Sequence, residues 1–428
     1  MQYLQSEKVD DSWSFKELPR SETSYLTHSY HTYPAKFIPQ LAARLINENS
    51  SVGELVCDTF MGSGTTLVEA TVHDRRVYGT DINPVAVLIT KAKTTPIEPQ
   101  NLERKVYSLK NSIKHHLIDG NKQTLLLKDD NNLAVVSHEN KRIDYWFHEK
   151  QKHDLSAILS EVMSIEDVNI RNFLLCTFSN ILKGCSRWMM KSVKPTIDKN
   201  KIINDPYHSF FVHTYRMLEK NRLFWKKIEG KKIDCIVDNV DARKMRIYDD
   251  SVSLIVTSPP YVTSYEYADL HQLTAIWLGY IERLSEFRTR FIGSIQKDQN
   301  QREIYSDIGK AIVDKLRLID KREAKGVEQY FFEMQQCFGE MYRVLKQGGR
   351  ACIVIGDTDL KKVKIHNADV FLQTMERIGF KVYNVIKRPI PSKILPLTRD
   401  KKTGRFVATT KADRLAYATE SILIMEKA

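Results

Sequence analysis

The sequence predicts an α/β fold in which a doubly wound, mostly parallel sheet carries largely helical insertions. Two observations point to it. Short apolar runs of strand length alternate with segments that have the 3.6-residue spacing of helices, which is the pattern of parallel strands joined by helices. The last two apolar runs, 380–386 and 421–425, would close the sheet as a β-hairpin.

Seven apolar runs are predicted to be strands, because each is short and bounded by polar or turn-forming residues. They are 54–58, 76–81, 234–238, 252–256, 351–357, 380–386 and 421–425. Helices are predicted near 41–46, 67–72, 106–117, 172–188, 210–224, 269–278, 327–345 and 369–378. The two glycines of Lys346–Arg350 are expected to cap the preceding helix and turn the chain.

Composition narrows the class of protein. The 428 residues carry a net charge of +12, which suits a polyanionic partner, although a merely basic soluble protein would show the same balance. The six cysteines form no CxxC pair, so neither a zinc site nor a disulfide framework is predicted. The polar N-terminus lacks a signal-peptide core and no apolar run reaches membrane-spanning length, so a cytoplasmic location without membrane association is expected.

A glycine loop follows the first predicted strand. It reads Asp58-Thr59-Phe60-Met61-Gly62-Ser63-Gly64-Thr65-Thr66, and Asp81 ends the next strand about twenty residues later. This order of strand, glycine turn, helix and acidic strand end is typical of a site for a nucleotide or nucleoside cofactor. The loop is not GxGxxG, because Leu67 stands at the third glycine position, and no Gly-Lys-Ser/Thr follows it as in a P-loop.

A proline loop, Thr257-Ser258-Pro259-Pro260-Tyr261, follows the strand at 252–256. Its prolines cannot donate to a sheet and disfavour helix in the residue before each of them, so the loop is expected to be stiff. It would lie at the carboxyl edge of the sheet, where open α/β sheets bind ligands. The alternative is a loop that merely caps the strand.

Together the two loops resemble those of S-adenosylmethionine-dependent DNA amino-methyltransferases. Ser258-Pro259-Pro260-Tyr261 has the form typical of enzymes that methylate cytosine N4, whereas adenine N6 enzymes usually carry Asp or Asn at the position of Ser258. Tyr33-Pro34-Ala35-Lys36-Phe37 resembles the cofactor-contacting segment of the family. Thr59 departs from the usual Pro, and the glycine loop precedes the proline loop, the reverse of many members. The resemblance covers about half of the chain and implies a seven-stranded, Rossmann-like methyltransferase core.

The resemblance implies S-adenosyl-L-methionine as the cofactor and no metal. Asp81 would bind the ribose, Asp58 the amino-acid end of the cofactor or the loop, and Asp241 the adenine ring. As alternatives, Asp81 could cap a helix that begins near Asn83, and Asp58 and Asp241 could be plain turn residues. The implied cofactor-binding residues are Tyr33, Pro34, Lys36, Phe37, Asp58, Phe60, Gly62, Ser63, Gly64, Thr65, Asp81, Asn83, Asp241 and Ala242.

The implied catalytic residues are Ser258, Pro259, Pro260 and Tyr261. An exocyclic amine is a poor nucleophile, because its lone pair is delocalised into the base. Ser258 and the Pro259 carbonyl are candidate acceptors for the amine hydrogens, and Tyr261 offers a face on which a flipped base can stack. No covalent enzyme intermediate is required, and the chain has no Pro-Cys dipeptide of the cytosine C5 type.

These motifs suggest a division of the chain. The predicted parts are an N-terminal arm, expected to be loose (1–20), the cofactor half of the core (21–95), a mainly helical insertion with possible target recognition (96–232), the catalytic strand and loop (233–280), a basic insertion with possible DNA contact (281–326) and the C-terminal half of the core (327–428). The candidate DNA-binding residues are Arg187, Lys191, Lys194, Arg288 and Arg290.

The favoured function is therefore site-specific methylation of cytosine N4 in double-stranded DNA, within a restriction–modification or defence system that could include a cognate endonuclease. Methylation of adenine N6 or of an RNA amine is the alternative reaction. A catalytically silent DNA-binding subunit that keeps the fold is the alternative from another class.

Overall fold

The computed structural model describes residues 8–19, 21–34, 36, 38–118, 140–192, 194–231, 234–262, 267–294, 303–390, 398–399, 414–415 and 419–428. The strands are β1 (Leu55–Asp58), β2 (Arg76–Thr80), β3 (Cys235–Asp238), β4 (Val252–Thr257), β5 (Leu345–Ile355), β6 (Thr358–Leu360), β7 (Val363–Ile365), β8 (Phe380–Pro389), β9 (Thr398–Arg399), β10 (Arg414–Leu415) and β11 (Thr419–Lys427).

Seven of these strands form one sheet in the order β3-β2-β1-β4-β5-β11-β8. The first five run parallel, and β11 is antiparallel to both of its neighbours. Each of the seven falls on a predicted run, so the predicted sheet and its closing antiparallel pair are confirmed. The carboxyl ends of β1, β2 and β4 consequently lie at one edge, and the glycine and proline loops leave the sheet there.

Fourteen α-helices are present in the described residues. They are α1 (Pro39–Asn49), α2 (Thr65–Val72), α3 (Pro84–Thr94), α4 (Pro99–Ile118), α5 (Lys141–Trp146), α6 (Glu149–Met163), α7 (Val168–Ile181), α8 (Pro206–Lys227), α9 (Tyr267–Leu270), α10 (Gln272–Trp277), α11 (Leu284–Arg290), α12 (Asp307–Arg317), α13 (Lys321–Val344) and α14 (Asn367–Ile378).

Helices cover both faces of the sheet. Successive strand residues point to opposite faces, and apolar residues point to each face, so both faces need to be covered. Val56 packs in the core formed with α1 and α2, whereas its neighbour Cys57 packs in the core formed with α12, α13 and α14. Helices α4 to α8 form a further apolar core with α3 and α10. This helical block occupies the predicted insertion that precedes β3.

The expectation of a loose N-terminal arm is wrong for residues 8–19. Trp13 is only 2% exposed and packs in the core on the α1 face of the sheet. Val9 forms a parallel bridge with Lys387, and the backbone N–H of Asp10 donates to the Lys387 carbonyl at 2.8 Å. The arm is therefore fastened along the edge strand β8.

The predicted turn at Lys346–Arg350 is also wrong, because β5 begins directly after α13. Leu345 pairs with Val252, and Arg350 pairs with Leu254 after a shift in register. The extra residues form an irregularity in which Gly348 has φ +74°. The glycine pair thus lies in a bulge of β5 and does not cap α13.

All six cysteines are free thiols. Within the described residues there is no group of side chains arranged to bind a metal ion. In the same part of the chain, every helix is too short or too polar to cross a bilayer.

Candidate active site

One cleft at the carboxyl edge of the sheet contains both loops. The empty space in and around it is about 870 Å³, which includes space open to solvent. Gly62 and Asp81 line it together with Ser258 and Pro260. The lining residues are Tyr33, Lys36, Asp58, Thr59, Phe60, Met61, Gly62, Ser63, Thr65, Asp81, Ile82, Asp241, Ala242, Ser258, Pro260, Tyr267, Arg290, Phe291 and Ile292.

The glycine loop needs glycine at two positions. Gly62 has φ +46° and Gly64 has φ +72°, both in the left-handed region that other residues rarely adopt. A Cβ on Gly64 would lie 2.7 Å from Cγ2 of Thr90, and one on Gly62 would press on the Tyr33 ring at 3.3 Å. The loop can therefore run close to α3 and to the aromatic segment before α1.

Two carboxylates hold this loop, of which Asp58 is buried and Asp81 is half-buried. Asp81 accepts hydrogen bonds from the backbone N–H of Gly62 at 3.0 Å and of Asn83 at 2.9 Å. Asp58 accepts from the Thr257 hydroxyl at 2.7 Å and from the N–H of Phe60 at 3.1 Å. Burial raises the pKa of both carboxyl groups to about 6. Since an ionised carboxylate has about four acceptor sites, each can also bind a ligand in the cleft.

A polar network, buried except for Lys36, lies next to the loop. Lys93 donates to the Ser63 carbonyl, and Lys36 donates to the His28 carbonyl at 2.9 Å. His28 contacts Glu69 at 2.6 Å, and both side chains are fully buried. Burial lowers the pKa of Lys93 and His28 and raises that of Glu69 to about 7. Sequence analysis missed this network, because no spacing pattern connects its members.

Two hydroxyls in the loop have no hydrogen-bond partner in the part of the chain that the structure describes. Ser63 Oγ and Thr65 Oγ1 are buried, and neither forms a hydrogen bond with any described residue. Buried polar atoms are normally satisfied, so these two favour a polar ligand in the cleft. Both are among the residues that the sequence predicts to bind the cofactor.

Three hydrogen bonds fix the proline loop. Ser258 Oγ donates to the Val354 carbonyl on β5 at 3.1 Å, and the Tyr330 hydroxyl on α13 donates to the Pro260 carbonyl at 2.7 Å. The Tyr261 hydroxyl donates to Glu420 on β11 at 3.2 Å. Burial, with the charge of Glu420 as a second cause, raises the pKa of Tyr261 well above its ordinary value. The phenol therefore stays protonated.

Most of the predicted site residues line the cleft. Pro34, Gly64, Asn83, Pro259 and Tyr261 are not among the lining residues. Asn83 caps α3, where its Oδ1 accepts from the N–H of Val85 at 3.0 Å, and its amide contacts His271 at 2.7 Å. Phe37 lies outside the described residues.

Asp241 is at the cleft but is already paired. Its carboxylate contacts the Arg243 guanidinium, with Nε 2.9 Å from Oδ1. Arg243 also donates to the buried Glu333 at 2.7 Å, and Glu333 accepts from the N–H of Gly293 at 2.7 Å. This network connects Asp241, which follows β3, to Gly293, which directly follows the lining residues Phe291 and Ile292.

The predicted DNA-binding residues are dispersed. Arg290 lines the cleft beside Phe291 and Ile292. Arg288 contacts Asp269 at 2.7 Å, and Arg187 donates to main-chain carbonyls at the end of α5. Lys191 and Lys194 are exposed. Sequence analysis missed Tyr267, Phe291 and Ile292 as lining residues, because they stand outside every recognised motif.

Comparison with known proteins gives consistent matches. A family model for N6/N4-type enzymes, described as DNA methylase, matches residues 2–92 and 252–428. Type II methyltransferase M.MvaI of Kocuria varians is 28% identical over 422 residues, which cover 91% of this chain and 90% of that protein. Type II methyltransferase M.BsoBI of Geobacillus stearothermophilus is 23% identical over 458 residues, covering 94% and 85%. The family match leaves out 93–251, which contains α4 to α8.

A solved TehB-like S-adenosylmethionine-dependent methyltransferase of Corynebacterium glutamicum is 9% identical. The match covers 90% of this chain and 87% of that one, with a TM-score of 0.29. A likeness this loose carries no argument about function.

Proposed function

The chain belongs to the N6/N4 DNA methylase family, and from this premise we propose that it transfers a methyl group from S-adenosylmethionine to the N4 amine of a cytosine in DNA. The observation that carries the proposal is the shared cleft. Ser258 and Pro260 of the proline loop line the same space as Gly62 of the glycine loop and Asp81, which accepts a hydrogen bond from Gly62. A methyl donor held by one loop therefore faces an amine held by the other.

The residues at the glycine loop suit this cofactor. When bound, S-adenosylmethionine supplies an electrophilic methyl group on a positively charged sulfur. Asp81 would accept the ribose hydroxyls, Asp58 would accept the ammonium of the amino-acid end, and Asp241 and Phe60 would bound the adenine ring. The partnerless hydroxyls of Ser63 and Thr65 add hydrogen-bonding groups beside them.

The proline loop presents acceptors for the amine hydrogens. The hydrogen of Ser258 Oγ is engaged by the Val354 carbonyl, so the oxygen lone pairs remain for an incoming amine. Tyr330 occupies the Pro260 carbonyl. Within the described residues no donor contacts the Pro259 carbonyl, which makes it the second acceptor. Two such acceptors would orient the amine and draw its nitrogen toward tetrahedral geometry.

Cytosine is preferred to adenine because of Ser258. Adenine N6 enzymes of the family usually carry Asp or Asn at this position, and a serine hydroxyl is a smaller, neutral acceptor. The target base would leave the duplex to reach the cleft, since its amine is enclosed by pairing and stacking.

The product identifies the target base. Purified protein is incubated with unmodified DNA and S-adenosylmethionine carrying a labelled methyl group, and the DNA is digested to nucleosides. We expect N4-methylcytosine. N6-methyladenine alone would overturn the cytosine assignment, and label in structured RNA only would overturn DNA as the substrate.

Two serine variants are the matched pair for this assay. Ser258→Ala should lose most of the product. Ser251→Ala should keep it, because Ser251 lies at the other end of β4 and donates to the Tyr248 carbonyl.

The named relatives are type II methyltransferases, and we propose the same role here, with a cognate restriction endonuclease as partner in the cytoplasm. Mapping methylated positions in DNA from cells that express the chain should reveal one recognition sequence, absent from cells that express Ser258→Ala. DNA binding should weaken steeply with salt, because contacts from Lys and Arg to phosphates release counterions. Methylation without sequence preference would contradict the type II role.

A further inference from the structure

Tyr261 is tied to a buried ion pair on the two antiparallel strands. Its hydroxyl donates to Glu420 Oε2 at 3.2 Å, and Glu420 Oε1 accepts from Arg388 at 2.7 Å. The Glu420 side chain is 11% exposed and that of Arg388 is 4% exposed. Glu420 and Arg388 are direct partners across β11 and β8. A carboxylate in such a place is costly unless it is paired, which argues for a specific role.

A glycine at the end of β5 lies close to both Tyr261 and Glu420. Gly356 follows β5, and a Cβ added to it would lie 3.1 Å from Cε2 of Tyr261 and 3.8 Å from Cβ of Glu420. The absence of a side chain at Gly356 lets the ring lie against the strand end. The ring orientation is therefore set by a hydrogen bond at its hydroxyl and by backbone beneath its edge.

The N-terminal segment holds the other end of this chain of contacts. Arg388 Nε donates to the Trp13 carbonyl at 2.8 Å, and its Nη2 donates to the Ser14 carbonyl at 3.4 Å. Buried Trp13 and the bridge from Val9 to Lys387 fix that segment on β8. The Arg388 guanidinium thus donates both to the N-terminal segment and to Glu420, and these bonds fix the position of the Glu420 carboxylate.

We propose that Glu420 is a positioning residue for methyl transfer, which fixes the Tyr261 ring in the orientation that stacks on the target base, with Arg388 and the N-terminal segment holding Glu420 in turn. This inference rests on the proposed function. Glu420 is more than a hundred positions from either motif, and neither loop predicts it. Its effect should appear in turnover and should leave cofactor binding unchanged, because the cofactor side of the cleft makes no contact with the pair.

A set of conservative variants tests the role. Tyr261→Phe removes the hydrogen bond and leaves the ion pair intact, and we expect kcat to fall about tenfold, since a hydrogen bond to a charged group is lost. Cofactor dissociation constants, measured by calorimetry, should stay within about twofold. Glu420→Gln keeps an acceptor oxygen and should retain more activity than Glu420→Ala.

The double variant gives the decisive comparison. Glu420→Gln with Tyr261→Phe should be no slower than Tyr261→Phe alone, because both changes act through one hydrogen bond. Losses that multiply would overturn the inference, as would unchanged turnover in Tyr261→Phe. If Glu420→Ala fails to fold because Arg388 is left unpaired, the two conservative variants still carry this test. Gly356→Ala, which displaces the ring, should reproduce the loss of turnover.

Failure of the proposed function would look different. If the wild-type protein methylated no DNA, the proposed function would be wrong. The hydrogen bond between Tyr261 and Glu420 could still be measured by urea unfolding of the wild type, Tyr261→Phe, Glu420→Gln and the double variant. The change in unfolding free energy of the double variant should differ from the sum of the two single changes, by the equivalent of about fivefold in the unfolding equilibrium constant. Additive unfolding together with an active wild-type enzyme would overturn the positioning role alone.

Discussion

The glycine loop and the proline loop face each other across one cleft, yet they are supported in different ways. The glycine loop has supports close in sequence, since Asp81 is 19 residues from Gly62 and Lys93 is 30 from Ser63. It has one distant support as well, because Asp58 accepts a hydrogen bond from Thr257, 199 residues away. The supports of the proline loop are distant: Tyr330 is 70 residues from Pro260, and Glu420 is 159 from Tyr261. Apart from the hydrogen bond between Asp58 and Thr257, the glycine loop thus depends on nearby residues, and the proline loop depends on the assembled sheet.

This difference implies that the two loops can be damaged separately. Changes at the glycine loop should weaken cofactor binding, and changes at the proline loop should slow turnover. Five predictions bear on this separation, beginning with the largest expected effect.

Asp81→Ala should raise the cofactor dissociation constant about a hundredfold or more. It removes the acceptor for the ribose and leaves the N–H of Gly62 without its partner, and hydrogen bonds to a charged group are worth about 1.5–3 kcal/mol each. Calorimetric titration measures the change. Asp234→Ala is the control, because its exposed pair with Arg76 should matter little. A change below threefold in Asp81→Ala would contradict the ribose assignment.

Tyr261→Ala should lower kcat by about ten- to a hundredfold, because stacking of a base on an aromatic ring is worth about 1–3 kcal/mol. Cofactor affinity should be preserved, since Tyr261 is hydrogen-bonded to Glu420 and, among the described residues, forms no hydrogen bond with the glycine loop or Asp81. Tyr248→Ala is the control, with a side chain 87% exposed. Equal losses of turnover and cofactor affinity would show that the two loops are not separable.

Cofactor affinity should fall as the pH drops through about 6, the raised pKa of both Asp58 and Asp81. Each carboxylate must be ionised to bind the cofactor. Below a pH of about 6, each of the two that takes part in binding should therefore lower the affinity by about tenfold per pH unit. Calorimetry between pH 5 and pH 8, in roughly half-unit steps around that pKa, measures the curve. An affinity that does not change across this range would exclude both groups from binding.

The stability of the cofactor-free protein should depend on pH in the opposite direction, increasing as the pH falls. Because the folded state binds these protons more tightly than the unfolded chain, the destabilisation caused by buried ionised carboxylates is absent below the ordinary pKa of 3.8 and develops as the pH rises to about 6. Urea unfolding of the wild type and Asp81→Asn should show a stability difference that shifts in favour of the variant over this interval. A constant difference would contradict the raised pKa.

Tyr330→Phe should give the smallest effect, a fall in kcat of about fivefold, because one neutral hydrogen bond to the Pro260 carbonyl is lost. Tyr342→Phe, on the same helix, is the matched control. If Tyr330→Phe changed cofactor affinity instead, α13 would be acting on the glycine loop.

Much of the fold could be predicted because its signals are local. Strand alternation is visible at Val56 and Cys57, which pack on opposite faces, and the glycine loop with Asp81 lies within one strand–helix–strand unit. The capping role of Asn83 also has a local signal, because Pro84 follows it at the start of α3.

The remainder was not predictable because the contacts join distant parts of the chain. No pattern in the sequence relates Glu420 to Tyr261 or Glu333 to Arg243. The start of β5 depends on its register with β4, which a glycine pair after a helix does not reveal. Trp13 was the one local indication that the N-terminal arm is fixed, since a large aromatic residue in a polar segment needs a place to be buried.

The fastening of Arg388 by the Trp13 carbonyl joins residues 375 positions apart. During synthesis, the segment that contains Trp13 leaves the ribosome long before β8 exists to receive it. The glycine loop and its carboxylates can form early, whereas the support of Tyr261 must wait until β8 and β11 have emerged. A nascent chain would therefore gain its cofactor site before its catalytic loop is in place, and the two abilities should arise at separate times as translation proceeds.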